Sequence, residues 1–542
     1  STTPDTAIEA VFSDFAIDEA PAPRPAVAPY ADAPASVRHP AGSIKQEDVE
    51  RARQNIARHP WAAEELEKLK KQADEWMRLK PEEIADWIST DDAWFKCLCP
   101  NCGAQPEFAW AGKSVLQPDG KSIRCTNCEM VFPNDQYPED RTYQAKTPRG
   151  KWKTIKYHHG KDQMAQGENY GPKYHISGAV NYVKQQNLRY VYPVAAVYAI
   201  TGDKAYAQRV RDILLRFAEV YPDYVYKYRA TAYESPEQNK MAGKLCDWKL
   251  HDSYRLSSLL DAYSLTYNSG VYSDADKLAI ENGICREFKH LITAFPPTAD
   301  YCLNAVPSHM AAAAACAAVL GDHDLINWVL EGPEGLKSFL ERYYHRDGLW
   351  YENSAAYGNM ATDPFVPLVG VLQGYSDAPA YDKPDRYDHL DLFRAIPLLE
   401  KIFTAMAPAT LPTGALPAFN DSSLQNRQSV RQLELTASLQ PTPAHLSLLR
   451  WFTGQASTPW ALNYSLFKRD PSVGVLGADR GAPPPELTRS VILPGAGWAV
   501  RQRPGVDLRQ TRQPFAQFHA ELSLLRFRQG SDQRPRLSFL VA

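Results

Sequence analysis

The sequence feature that most constrains the fold is a long succession of helical patterns. From about Ala179 to Ala409, apolar residues recur three and four positions apart, in segments separated by short runs containing Gly, Pro or Asp. This spacing puts the apolar side chains on one face of each helix, and short connections make consecutive helices antiparallel neighbours. Because no strict repeat is visible, a tetratricopeptide-type array is disfavoured. The pattern predicts helix pairs that close or half-close into an (α/α) toroid over residues 137–409.

The flanking segments predict further domains, so we expect a multidomain α+β protein. Residues 1–42 are rich in Ala and Pro without apolar periodicity, which predicts a disordered leader. Residues 43–96 predict two short helices broken at Pro60. Residues 410–542 lose the helical period and show short alternating runs, which predict an antiparallel β-sandwich. That region is shorter than a full sandwich, so either the chain is truncated or its last residues have diverged.

Charge and hydropathy argue against two classes of partner. The chain has 60 Lys and Arg against 63 Asp and Glu, a formal net charge of -3, which gives no general attraction to nucleic acid or to anionic membranes. The most apolar run, from Met310 to Leu320, is shorter than the roughly 20 residues that a membrane helix needs. We therefore expect no nucleic-acid partner and no membrane partner, and any anionic partner must bind at a local site.

Two C-x-x-C pairs predict a metal site within residues 97–136. Cys99 and Cys102 form the first pair, and Cys125 and Cys128 form the second, with a strand-length insert between them. This spacing is typical of a zinc ribbon, in which four thiolates surround Zn²⁺ tetrahedrally and leave no open position. The expected zinc ion is therefore structural. Two disulfide bonds in a secreted protein are the alternative.

Two phrases in the helical region concentrate polar residues where a helix would begin. In the first, Ser308 is a candidate N-cap, which would place His309 in the first turn near the positive end of the helix, with Asn304 on the incoming loop. In the second, Ser354 is followed three residues later by Tyr357. Such places suit an anion and a stabilised phenolate. From spacing alone, capping and core packing explain these residues as well.

The order of several short motifs resembles that of the heparinase II/III-like polysaccharide lyases. Within that group the chain is most similar to the oligoalginate and heparin exolyases of polysaccharide lyase family fifteen. The matching motifs are Gln186 to Leu188, Thr201 to Asp203, Asn304 with His309, Asp347 to Tyr357, Leu411 to Ser422 and Gly495 to Val500.

The resemblance implies a toroid joined to an antiparallel β-sandwich, with a catalytic cleft between them. It implies β-elimination on uronate-containing glycans, alginate oligosaccharides or heparin and heparan sulfate-like chains, in an exolytic mode that yields a 4,5-unsaturated uronate. Asn304 and His309 match the positions that neutralise the uronate carboxylate, and Tyr357 matches the catalytic tyrosine. His519, in a shortened phrase of the β-rich region, is the candidate second base or acid. No metal is needed for this chemistry.

Weaker expectations concern the substrate and the compartment. Arg255, Tyr254 and Glu352 are candidate substrate-binding residues, although surface or core roles fit Arg255 and Tyr254 equally well. A uronate C5-epimerase and a non-catalytic glycan-binding protein are the alternative functions. We expect the partner to be an acidic polysaccharide or oligosaccharide. An extracellular glycan and a missing initiator Met favour a periplasmic or secreted protein, with any signal peptide absent or already removed.

Overall fold

The computed structural model describes eleven stretches of the chain. These are residues 30–95, 97–103, 114–159, 174–228, 231–246, 248–294, 303–411, 414–453, 459–473, 484–501 and 538–541.

Within these stretches the protein is mainly helical, with nineteen α-helices. They are α1 (Gln46–Arg58), α2 (Pro60–Met77), α3 (Pro81–Trp87), α4 (Ile176–Gln185), α5 (Val191–Thr201), α6 (Lys204–Val220), α7 (Lys249–Thr266), α8 (Asp274–Ile280), α9 (Glu287–Ala294), α10 (Val306–Leu320), α11 (His323–Glu331), α12 (Leu336–Tyr343), α13 (Ala355–Thr362), α14 (Phe365–Leu372), α15 (Leu392–Ala395), α16 (Leu398–Thr404), α17 (Val430–Leu439), α18 (Pro443–Thr453) and α19 (Pro459–Lys468). Short 3-10 turns at Gln186–Tyr190 and Leu303–Ala305 lead into α5 and α10, and a π-helical turn at Glu281–Arg286 joins α8 to α9.

Ten short strands form four small sheets in the described residues. The strands are β1 (Ser114–Leu116), β2 (Ile123–Cys125), β3 (Val131–Phe132), β4 (Arg141–Lys146), β5 (Trp152–Tyr157), β6 (Tyr226–Tyr228), β7 (Thr231–Tyr233), β8 (Val491–Leu493), β9 (Trp498–Arg501) and β10 (Ser538–Val541). The sheets β1-β2-β3, β4-β5 and β6-β7 are antiparallel. In the last sheet, β9 pairs antiparallel with β8 and parallel with β10.

The helices pack as a ring that closes on itself. Successive neighbours are α2, α5, α7, α10, α14, α17, α19 and α1, and α1 packs against α2 again. Helices such as α6, α11, α16 and α18 lie outside this ring, each against at least one of its members. The helical succession in the sequence predicts such a ring, but the expected bounds of 137–409 are too narrow, because the ring also includes α1, α2, α17 and α19.

Helix α10 is a buried member of the ring. Its run from Met310 to Val319 is buried all round, and the small Ala side chains let α7 and α14 approach on either side. By length and composition alone the segment Leu303–Leu320 would be able to cross a membrane, but 89% of it is buried inside the protein. It is therefore a core helix of the ring.

The ring closes through paired buried charges between its first and last helices. Lys468 of α19 donates through Nζ to Asp48 of α1 at 2.5 Å and to the carbonyl oxygen of Ser43 at 3.0 Å. The next residue, Arg469, binds Glu434 of α17 through Nε and an Nη atom at 3.1 and 2.5 Å. These side chains are at most 7% exposed. Both ends of the chain segment that forms the ring are thus joined by ion pairs rather than by apolar contact alone.

The N-terminal region differs in part from the expectation. The break between two helices at Pro60 is confirmed, with α1 and α2 on either side. A disordered leader over residues 1–42 is wrong from Tyr30 onward, because residues 30–42 are held by hydrogen bonds against α7 and the π-helical turn. Its backbone is held by side chains: Ser264 Oγ accepts the amide hydrogens of Ala41 and Gly42 at 2.6 and 2.9 Å. Residues 1–29 lie outside the described part of the chain.

The expected β-rich region from residue 410 is wrong over residues 430–468, which form α17, α18 and α19. The helical period is hard to see there because buried positions are polar. Gln432, Glu434 and Thr436 of α17 are all buried, and Ser465 of α19 is buried against Glu434. Among the described residues after 484, three strands form one mixed sheet, with no second sheet to make the predicted antiparallel sandwich.

Candidate functional site

The four paired cysteines come together, as their spacing predicts. All four Sγ atoms lie within 4.8 Å of one another, and the Cys99–Cys128 and Cys102–Cys125 separations are 3.7 and 3.9 Å. None of them is in a disulfide bond, so the disulfide alternative is not what the structure contains. A Zn–S distance of about 2.3 Å in a tetrahedron gives an S···S edge of about 3.8 Å. These two sulfur separations match the edge of such a tetrahedron, so the four thiols could hold a metal ion.

The two C-x-x-C turns have matching backbone geometry. The amide of Gly103 donates to the carbonyl of Cys99 at 2.8 Å, and the amide of Glu129 donates to that of Cys125 at 2.9 Å. The residue after each second cysteine has a positive φ, 60° for Gly103 and 62° for Glu129. Glycine adopts this conformation without strain, whereas Glu129 needs the surrounding turn to hold it. Cys97, just before the first pair, is not among the four; its thiol lies 3.3 Å from the carbonyl oxygen of His175.

A second group of residues forms where α7 and α10 begin side by side. His309 is the fourth residue of α10, and its Nδ1 lies 2.7 Å from Oγ of Ser253 on α7. The expected N-cap role of Ser308 is wrong, because α10 begins at Val306 with Ala305 as N-cap. Pro307 in the first turn suits this earlier start, since the first amide groups of a helix have no partner within it. His309 still lies in the first turn, as predicted.

The hydrogen bonds of Ser253 define the tautomer of His309. Its hydroxyl lies 3.1 Å from the carbonyl oxygen of Lys249, to which it donates. Since a hydroxyl has one hydrogen, both contacts of Ser253 are hydrogen bonds only if His309 donates from Nδ1. Burial lowers the pKa of His309 well below its ordinary value, and the positive charge of Lys249 lowers it further. His309 is therefore a neutral imidazole whose Nε2 is the nitrogen without a hydrogen.

Lys249, which the sequence did not single out, is the first residue of α7 and only 2% exposed. Burial lowers its pKa to about 7, against the opposing charges of Asp252 and Glu237. The carboxylate of Asp252 is engaged elsewhere, because it accepts the amide hydrogens of Lys244 and Leu245 at 2.8 and 3.0 Å. No sequence pattern marks this lysine, since only the packing of α7 beside α10 brings it near His309.

The turn before α10, which carries Asn304, packs against α13, which carries Tyr357. Asn304 is buried in the 3-10 turn before α10, and its Nδ2 lies 3.6 Å from the sulfur of Met360 on α13. Tyr357 precedes Met360 by three residues, so the two side chains share one face of α13. Tyr357 is half-buried, and its amide donates to Ser354 Oγ at 3.3 Å. Ser354 is therefore the N-cap of α13, as the sequence predicts.

The start of α13 is fixed by the loop that carries another of the sequence motifs. Ser354 Oγ donates to the carbonyl oxygen of Asp421 at 2.9 Å, and Ser422 Oγ accepts the amide hydrogen of Ala356 at 3.1 Å. Nδ2 of Asn420 donates to the carbonyl oxygen of Glu352 at 2.6 Å. Two distant motifs thus meet where Tyr357 is positioned. We call the group of Lys249, Ser253, Asn304, His309 and Tyr357 the helix-end site.

The remaining predicted residues lie around this site with varied partners. Arg255 is half-buried on α7 and donates to the side chain of Gln186. This bond connects the motif that begins at Gln186 to α7. Burial lowers the pKa of Arg255. Tyr254 is 45% exposed. The Glu352 carboxylate accepts the indole hydrogen of Trp350 at 2.9 Å. Their substrate contacts stay predictions, and His519 lies outside the described residues.

A family model for the heparinase II/III N-terminus matches residues 133–447, more than half of the chain. The chain belongs to the heparinase II/III-like family of polysaccharide lyases. The matched residues include most of the helical ring and the whole helix-end site. The resemblance read from the short motifs is therefore confirmed.

Three relatives, two alginate lyases and a heparan sulfate lyase, are between 14% and 25% identical to this chain. An alginate lyase from Stenotrophomonas maltophilia is 25% identical over 195 residues, which cover 35% of this chain and 25% of that relative. The crystal structure of an alginate lyase from Bacteroides ovatus has a TM-score of 0.47 at 14% identity, and covers 80% of this chain and 99% of the other. A heparan sulfate lyase from Pedobacter heparinus has a TM-score of 0.35 at 17% identity, covering 73% and 55%.

Proposed function

We propose that this protein is a lyase that cleaves uronate-containing glycans by β-elimination. Its substrates would be alginate oligosaccharides or heparin and heparan sulfate-like chains, cut exolytically to leave a 4,5-unsaturated uronate. The observation that carries the proposal is the helix-end site, where Asn304 and neutral His309 lie at the N-terminus of α10 and Tyr357 lies on α13, which packs against that end. The helix ends and the amide favour an anion, and a tyrosine hydroxyl can transfer a proton.

The reaction removes a proton from C5 and expels the oxygen at C4. The C5 proton becomes acidic enough only when the neighbouring carboxylate is bound by groups that stabilise its developing negative charge. Asn304 would donate its amide hydrogens to that carboxylate. His309, with Nε2 as acceptor, would accept a hydrogen bond from a sugar hydroxyl or from the carboxyl group when it carries a proton.

Tyr357 would carry the proton in this scheme. As a phenolate it takes the C5 proton, and the C5–H electron pair forms the C4–C5 double bond. As that double bond forms, the bond from C4 to O4 breaks, its electron pair leaves with O4, and the same tyrosine oxygen gives the proton to the departing O4. All electrons and protons are accounted for without a metal ion. His519 stays the proposed second acid or base.

A screen with alginate, heparan sulfate, chondroitin and ulvan tests this function through the ultraviolet absorbance of the unsaturated product. We expect absorbance to rise on at least one substrate and to vanish in Tyr357→Phe. Tyr381→Phe, on the loop between α14 and α15, is the matched control and should stay active. A flat trace with every uronate glycan contradicts the lyase. Incorporation of solvent deuterium at C5 without chain cleavage would instead indicate an epimerase. If the wild-type protein catalyses no reaction and Tyr357→Phe binds glycan with the same affinity, the protein is a glycan-binding protein.

We also propose that the four clustered cysteines hold a structural zinc ion. Their sulfur spacing supports it, and four thiolates leave no position for a substrate. We expect one zinc per chain by mass spectrometry of the metal content. Cys102→Ser and Cys128→Ser should each lose it, and Cys97→Ser should keep it. Equal zinc content in all four proteins would contradict this assignment.

We place the protein, as a further part of this proposal, in the periplasm or outside the cell, where acidic polysaccharides occur. Fractionation of the native host with an antibody tests the location. A protein found only in the cytoplasmic fraction would exclude it.

A further inference from the structure

Lys249 differs from the other buried lysines in its lack of a partner. Lys227, Lys244, Lys289 and Lys468 each have a carboxylate oxygen within 3.0 Å of Nζ, and Nζ of Lys184 donates to the carbonyl oxygen of Asp86 at 3.3 Å. No hydrogen bond or ion pair reaches Nζ of Lys249 from the residues that the structure describes. A buried cation without a partner lowers the stability of the fold. We therefore expect an anion from outside the chain to pair with it.

The groups at the start of α7 and α10 favour an anion near Lys249. Lys249 is the first residue of α7 and His309 lies in the first turn of α10, and the charge of Lys249 acts on His309, so the lysine lies near the positive ends of two helices. The hydroxyl of Ser308, one residue before His309, is buried and also lacks a hydrogen-bond partner among the described residues. Unpartnered polar atoms thus occur at the start of both helices. His309 cannot supply positive charge, because burial keeps it neutral.

We propose that Lys249 is the cation that binds the carboxylate of the uronate at the site of cleavage. The ammonium group pairs with the substrate carboxylate, while the amide of Asn304 donates to it from the neighbouring turn. This pairing supplies the full positive charge that neutral His309 and an amide dipole lack. The assignment rests on the proposed lyase function and names a substrate-binding residue that the sequence motifs do not contain.

Proton uptake is an independent signature of this pairing. Three charged or titratable groups act on Lys249: Asp252 on its own helix, Glu237 on the preceding segment and His309 on α10. With a pKa of about 7, Lys249 is largely neutral at pH 8 in the free protein. A bound carboxylate raises that pKa, so the protein should take up a proton when it binds substrate at pH 8. Calorimetry in buffers of different ionisation enthalpy measures this uptake.

The experiment compares two ligands in the Tyr357→Phe background, where no cleavage interferes. One is an alginate trisaccharide, and the other is the same trisaccharide with its carboxyl groups reduced to alcohols. We expect Lys249→Met to weaken binding of the acidic ligand at least about tenfold, to leave the reduced ligand nearly unchanged, and to abolish proton uptake. Lys156→Met, on exposed β5, is the control and should change neither ligand.

Each outcome bears on one proposal. Equal loss for both ligands, or no loss for either, overturns the role of Lys249, and so does binding without proton uptake in the Tyr357→Phe protein itself. The last measurement needs no substitution at Lys249, so a misfolded variant does not leave the question open. If the wild-type protein cleaves uronate glycans and Lys249→Met has the same KM, only the Lys249 assignment fails. If no uronate glycan is cleaved, the lyase function fails separately.

Discussion

Two buried lysines, Lys468 where the helical ring closes and Lys249 in the helix-end site, have opposite surroundings. Lys468 is paired with Asp48 and a backbone carbonyl, and the adjacent Arg469 is paired with Glu434. Lys249 is equally buried but has no such partner among the described residues. At the ring closure, the buried charges are paired between helices. In the helix-end site, Lys249 has no carboxylate partner among the described residues, so it can bind an anionic ligand, but the ligand-free fold is less stable as a result.

The largest expected effect comes from breaking a pair at the ring closure. Arg469→Met leaves Glu434 as a buried carboxylate without its cation, and we expect a loss of about 3–5 kcal/mol in the free energy of unfolding. Urea denaturation followed by circular dichroism measures it.

A double variant tests whether the loss comes from the orphaned charge. Glu434→Leu combined with Arg469→Met removes both charges, and we expect most of the lost stability to return. If the single variant is as stable as the wild type, ion pairing does not hold the ring closed, and the contrast with Lys249 disappears.

The next effect has the opposite sign. Lys249→Met replaces a buried, unpaired ammonium group by an apolar side chain of similar length, and we expect the free energy of unfolding to rise by about 1–3 kcal/mol. Urea denaturation of the ligand-free protein measures the change. A decrease would mean that Lys249 supports the fold, and would end the distinction between the two lysines.

The pH dependence of that gain follows from the lowered pKa of Lys249. Its pKa falls from the ordinary value of 10.5 to about 7 on folding, so between these values the unfolded chain binds a proton that the folded chain lacks. Wild-type stability therefore rises with pH across this window, and the penalty is full only below pH 7. We expect the advantage of Lys249→Met to be largest below about pH 7 and to shrink toward pH 10.5. An advantage that is constant with pH would contradict the assigned charge.

The same contrast explains what could be predicted from the sequence. Helices such as α6 show apolar residues at helical spacing, with Val210, Ile213, Leu214 and Phe217 buried, and these were predicted correctly. Helix α17 buries Glu434 among its core residues, because Arg469 from a distant part of the chain neutralises it. Hydrophobic periodicity indicates a buried helix face only when the buried residues are apolar. A helix that buries ion pairs is therefore not predicted from this pattern.

Most residues of the candidate site could be predicted from the sequence, and Lys249 could not. Asn304, His309 and Tyr357 lie in motifs with a recognisable local order, so the sequence predicted them, and the four cysteines carry their spacing in the sequence. Lys249 has no such local signal. Its importance depends on the packing of α7 against α10, which puts it near a histidine 60 positions later in the chain.

The smallest effect concerns the hydrogen bond between Ser253 and His309. Ser253→Ala removes the acceptor that holds the hydrogen on Nδ1, so we expect the imidazole to lose its single tautomer. The free energy of unfolding should fall by about 0.5–1.5 kcal/mol, as for one neutral hydrogen bond. Ser257→Ala is the matched control, because Ser257 makes the same kind of bond to a carbonyl one turn back, at 2.9 Å, without contacting the histidine.

Nitrogen NMR of the histidine side chains separates these two variants. In the wild type we expect His309 to carry its hydrogen on Nδ1 and to remain neutral across the range in which exposed histidines titrate, since burial and Lys249 lower its pKa. The Ser257 variant should preserve that signal, and the Ser253 variant should lose it together with part of the catalytic rate. A wild-type signal with the hydrogen on Nε2 would make His309 a donor toward the substrate. The carboxylate would then have a second hydrogen-bond donor beside Asn304, which would weaken the argument that Lys249 must bind it.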